Sequence, residues 1–73
     1  MILASGESIG QHLTEKREEM IIVLKGIATI LVEENIIQKK AKETCYIKGG
    51  LSHNVRNDSD EELEYIYVVS LFD

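Results

Sequence analysis

Seventy-three residues, with 13 acidic against 8 basic side chains and a formal net charge of −5, make one small domain over residues 1–73 and argue against a nucleic-acid partner, whose phosphates reward clustered Lys and Arg. A chain this short buries only roughly 60 % of its unfolded surface, and its one cysteine, Cys45, rules out an internal disulfide, so extra stability has to come from a metal, a partner subunit or both. Met1 is followed by only a few apolar residues before Ser5-Gly6-Glu7, and no run approaches the roughly 18 apolar residues of a membrane helix, so the expectation is a soluble, cytoplasmic protein with no leader and no membrane contact.

There is no proline, so turns have to come from Gly, Asn, Asp and Ser. Ile2–Ala4 reads as a short first strand, Ser5-Gly6-Glu7 as a turn, Ser8–Leu13 as a second strand and Thr14–Glu18 as a charged loop. Glu19–Lys25 is the clearest strand. Its centre, Met20-Ile21-Ile22-Val23-Leu24, does not alternate, which implies that both faces are covered, one by the core and one by a second sheet or another subunit. Gly26 permits a tight reversal into Ile27–Glu33, and Glu34-Asn35 reads as the next turn, with Asn suited to a positive φ. Ile36–Lys40 and Thr44–Ile47 follow as short strands, and Gly49-Gly50 as a sharp bend. Ser52–Asn57 is a strand carrying His53, Asp58-Ser59-Asp60-Glu61 a polar loop, and Leu63–Phe72 a long last strand. Many short strands at regular spacing indicate a sandwich or barrel. The only stretch that could be weighed as a helix, Glu15–Met20, has no apolar stripe. The lysines at 39, 40, 42 and 48 read as a solvated turn region rather than an anion site.

Three residues suit a metal. His12 and His53 are the only histidines, and Glu19 opens the strongest strand. His12 and Glu19 lie on successive strands joined by a short loop, and His53 would approach from a later strand. Two imidazoles and one carboxylate form a facial set that leaves open positions on iron, and zinc accepts the same ligands. An acidic side chain facing a barrel interior needs a cation or a donor beside it. On spacing alone, a hydrogen-bonded core or surface histidine is the more frequent reading.

The spacing of these residues resembles the cupin superfamily. Gly6, His12, Glu19 and Gly26 fall on its first motif, and Gly50, His53 and Asn57 on its second. The departures are Thr14 at the position of the second histidine, and Lys42 and Lys48 at a glycine and a proline. Those two lysines suggest altered turns around Thr44–Ile47. The resemblance implies an all-β fold, a small double-stranded β-helix or jelly-roll barrel in a single domain. It implies a divalent metal (Mn, Fe, Ni or Zn) held by His12, Glu19 and His53, with Thr14 lining the pocket and Glu18 as a substitute ligand. Tyr46, Tyr65 and Tyr67 read as packing residues, one of which could line the pocket, Asn57 as a structural residue and Cys45 as a small buried hydrophobe. The function that follows is binding or transformation of a small polar metabolite at that metal, with no catalytic residue assigned. A non-enzymatic metabolite- or metal-binding module and a structural barrel without metal are the alternatives. The apolar central strand suggests a homodimer through a two-fold sheet-to-sheet contact, which an exchanged N-terminal strand could extend.

Overall fold

The computed structural model describes residues 1–10, 12–13 and 17–71, with residues 12, 13, 17 and 71 described by backbone alone. The described residues form eight strands: β1 (Ile2–Leu3), β2 (His12–Leu13), β3 (Arg17–Lys25), β4 (Ile27–Val32), β5 (Asn35–Lys40), β6 (Thr44–Ile47), β7 (Ser52–Arg56) and β8 (Leu63–Leu71). All pairings are antiparallel, in two four-stranded sheets ordered β1-β8-β3-β6 and β2-β7-β4-β5. This is the expected all-β jelly-roll arrangement. Its core lies between the sheets and is built from Ile21, Val23, Ala28, Ile30, Val55 and Leu63, among others.

Several boundaries differ from the sequence reading. Within Ser8–Leu13 the backbone does not run as one strand: Ser8 makes an isolated bridge to Arg56, Gly10 takes φ 94°, and only His12–Leu13 pairs as β2. Of the expected charged loop Thr14–Glu18, Arg17 and Glu18 belong to β3, where Arg17 pairs with Leu71 and Glu18 with Ser70; residues 14–16 lie outside the described residues. The β4–β5 turn is Glu33-Glu34, since Val32 and Asn35 form the last rung of the ladder. It is therefore Glu33, at φ 54°, and not Asn35 that takes the left-handed conformation.

Lys42 sits in the turn before β6 in a left-handed backbone conformation. It holds φ 73°, the conformation that a glycine at the matching motif position would adopt freely. The turn closes with Lys42 N–H donating to Val23 O at 2.8 Å and Glu43 N–H to Lys40 O at 3.0 Å. The lysine keeps the glycine's geometry and carries its strain.

The unbroken apolar centre of β3 resolves into two faces. Ile21 and Val23 point into the core, while Met20 and Leu24 are exposed and Ile22 is half-buried on the outer face. Opposite them on β8 and β6, Ile66, Val68 and Tyr46 are also exposed. The outer face of the first sheet is thus apolar and uncovered within one chain. β1 pairs with β8 of its own chain, through Ile2 with Glu64 and Leu3 with Leu63.

Asn57 closes the end of the barrel as the sequence suggested. It is fully buried, and its amide donates to Leu3 O at 3.0 Å and to Glu61 O at 2.6 Å while its side-chain oxygen accepts from Ser59. Gly26 reverses the chain at φ 84°, and a Cβ there would sit 2.5 Å from Glu62 O. Gly50 has the same φ with open space around it. Gly26→Ala is expected to cost about 3 kcal/mol, from strain plus collision with backbone, and Gly50→Ala about 1 kcal/mol from strain alone. Urea unfolding of the two variants checks the difference.

Candidate functional site

The two-residue period of β3 decides the site's first member. Glu19 shares its parity with Ile21 and Val23, so its carboxylate is carried to the inner side of the sheet. On β7, His53 shares parity with the buried Val55 and Asn57. The two side chains meet between the sheets, with His53 Nε2 against Glu19 Oε2. Glu18, the substitute candidate, is carried to the other face, where it accepts a hydrogen bond from the Tyr46 hydroxyl. That contact, more than any burial, raises the Tyr46 pKa. Glu18 is therefore not a pocket residue.

His53 is 2 % exposed, and its Nδ1 lies 3.2 Å from Leu51 O. A carbonyl oxygen only accepts, so this contact is a hydrogen bond when the proton sits on Nδ1. In the neutral ring, Nε2 then presents a lone pair toward a carboxylate oxygen. Two lone pairs do not attract. With the proton on Nδ1, a shared proton or a metal ion would join the two; with the proton on Nε2, the ring donates to the Glu19 carboxylate directly. Metal-ligating histidines are commonly oriented in this way, by a second nitrogen donating to a backbone carbonyl.

His12 enters through the backbone register, which pairs it directly with His53 across β2 and β7. Its side chain and Thr14 lie outside the described residues. Among the described residues no group of three His, Cys, Asp or Glu side chains is gathered in metal-ligand fashion.

A cavity of about 310 Å³ opens beside the Glu19–His53 pair. Ile9, Ile21, Val55 and Val69 give it apolar walls, and Tyr65, Tyr67 and Met1 complete them. That size suits a small molecule. Tyr65 is buried, and desolvation first, then the neighbouring Tyr67 and Glu19, pushes its pKa up to about 12. Both cavity tyrosines were expected as packing residues. The alternation that places them, Leu63, Tyr65, Tyr67 and Val69 inward, is hidden in the sequence because Ile66 and Val68 on the other face are apolar too. Cys45 is buried as expected, and burial raises its thiol pKa, which makes it a poor nucleophile.

Two antiparallel sheets closed around a polar pair and a small cavity define a jelly-roll barrel. Residues 1–69 match the family described as Cupin domain, and the chain belongs to that family. An oxalate-binding protein of Thermotoga maritima is 30 % identical over 71 residues, 97 % of this chain and 59 % of that protein. The crystal structure of a predicted oxalate decarboxylase from Thermotoga maritima superposes with a TM-score of 0.92 at 28 % identity, over 97 % of this chain and 62 % of that one. The cupin domain of Schizosaccharomyces pombe Cnp3 reaches a TM-score of 0.92 at 13 % identity, over 97 % and 52 % of the two chains, a likeness of fold. The chain thus spans about three fifths of the length of the Thermotoga relatives.

Tyr65 gives the site a pH signature. Its pKa lies above the ordinary tyrosine value of 10 in the folded protein, so the stability tied to its neutral form is whole below about pH 10 and is lost as pH rises through about 12. In metal-free protein, tyrosinate absorbance should show one phenol ionising at about 12. That phase should vanish in Tyr65→Phe.

Proposed function

We propose that the cavity binds a divalent metal ion through His12, Glu19 and His53 and, against it, a small polar acid, with oxalate as the first candidate. The observation that carries this reading is the facing of His53 Nε2 and Glu19 Oε2, a nitrogen and a carboxylate oxygen placed as two ligands of one ion would be, with Leu51 O behind His53 Nδ1. The backbone pairing of His12 with His53 supports the third ligand, and the name of the 30 %-identical Thermotoga maritima relative supports the ligand class. Thr14 follows His12 closely in sequence and belongs to the same pocket in this reading. Mn, Fe, Ni and Zn all accept such a donor set. The bound ion would supply positive charge for a carboxylate ligand. Glu19 and His53 would hold it, and the apolar walls would keep bulk water from competing. A reducing, cytoplasmic setting fits the buried, unpaired Cys45.

A second reading rests on the same contact: His53 as imidazolium, paired with Glu19 in a barrel that holds no metal. Elemental mass spectrometry on untagged protein separates the two. About one ion per chain is expected after incubation with Mn²⁺, Fe²⁺, Ni²⁺ or Zn²⁺. His53→Ala and Glu19→Gln should each weaken it by more than the roughly 10–100-fold that loss of an outer-shell partner costs. No metal under any of these conditions would leave the ion pair and sink the metal.

The assembly belongs to the same proposal. The exposed outer face formed by Met20, Leu24, Tyr46, Ile66 and Val68 is continuous across β6, β3 and β8, with Val68 56 % and Ile66 45 % exposed. A second copy related by a two-fold axis would cover it. Light scattering should give the mass of two chains at micromolar concentration, and Val68→Glu should give one. A wild-type monomer would defeat this part.

A further inference from the structure

Among the described residues, Tyr65 lines the cavity and carries a buried hydroxyl that has no work in the metal reading. The side chain is 1 % exposed, and its oxygen has no hydrogen-bond partner among the described residues. Buried hydroxyls are ordinarily paired, and a phenylalanine would fill the same space with nothing left unsatisfied. The ring is not loosely held. The Tyr65 backbone is paired on one side with Met1, whose carbonyl accepts the Tyr65 N–H at 3.0 Å and whose nitrogen donates to Tyr65 O at 2.8 Å. Across the sheet, Tyr65 stands opposite Val23, at the centre of the core. Glu19 and His53 line the same cavity.

We infer that the Tyr65 hydroxyl is a ligand-positioning donor, hydrogen-bonded to a carboxylate oxygen of a small acid seated in the cavity. The inference deepens the proposed function and rests on it, because it needs a cation at Glu19 and His53 to admit an anion beside a carboxylate. A tyrosine phenol keeps its proton throughout the physiological range. It therefore always has a proton to give, and its oxygen, fixed in an apolar wall, rewards a ligand whose acceptor reaches it. A ligand with no acceptor at that point would leave the hydroxyl unpaired, and the site would discriminate against it.

The test is calorimetric titration of Mn²⁺-loaded protein with oxalate, comparing wild type, Tyr65→Phe and, as a control on the outer face, Tyr46→Phe. A hydrogen bond to a charged acceptor corresponds to roughly 10- to 150-fold in affinity. Tyr65→Phe should weaken oxalate by about that factor, with Mn²⁺ content unchanged and a thermal midpoint at or above wild type. Tyr46→Phe should bind oxalate as wild type does. Equal oxalate affinity in wild type and a folded, Mn²⁺-loaded Tyr65→Phe overturns the role of Tyr65 and leaves the metal pocket standing. Wild-type protein that holds Mn²⁺ but not oxalate overturns the ligand class, and the role of Tyr65 with it. A fall in thermal midpoint in Tyr65→Phe also overturns the inference, because it would show that the hydroxyl already serves the fold.

Discussion

Ile21 stands opposite Tyr67 and Val23 opposite Tyr65, and this register between β3 and β8 settles the destination of every side chain on the first sheet. One parity sends Glu19, Ile21 and Val23 inward to meet Tyr65, Tyr67 and Val69. The other sends Glu18, Met20 and Leu24 outward with Ile66, Val68 and Ser70. A slip of one residue would exchange the faces, placing Glu18 in the cavity and Glu19 in solvent. Two features resist such a slip. The irregularity between Val23 and Lys25 breaks the ladder at one point, and a Cβ at position 26 would meet Glu62 O at 2.5 Å, which favours glycine at that reversal.

The contact between the sheets depends on that register. Glu19 and His53 come from different sheets, so their meeting ties the first sheet to the second near the open end of the barrel. At the other end, Asn57 performs the same joining with neutral hydrogen bonds to Leu3 and Glu61. One end is closed by groups that are fully satisfied inside the protein. The other is joined by the Glu19–His53 pair beside the cavity. The two ends of the barrel thus differ in kind, one joined by neutral amide hydrogen bonds and the other by an ionisable pair.

Much of this was legible in the sequence. Turn glycines at 6, 26 and 50, the strand at Thr44–Ile47, and the pairing of Gly6, His12, Glu19 and Gly26 with Gly50, His53 and Asn57 indicated the barrel and where its pocket lies. What could not be read has physical causes. An apolar run hides its own parity, so the inward tyrosines of β8 and the outward methionine of β3 looked alike. Propensity favours Asn for a left-handed turn, but the hairpin register overrode it and put Glu33 there. Lys42 hides a glycine-like conformation that its side chain gives no reason to expect. The start of β3 at Arg17 was masked by charge: polar residues on a strand beyond the core look like loop.

The lone thiol also bears on how the barrel opens. Cys45 lies on β6, an edge strand, opposite Ile21, and is sealed from solvent on its inner side. An edge strand is held on one side only, and its release requires no disruption of the second sheet. Lifting of β6 from β3 would bare the thiol without any unfolding of the second sheet. The molecule carries its own clock for the fraying of one edge. The rate at which a thiol reagent finds Cys45 counts those openings, separately from global unfolding.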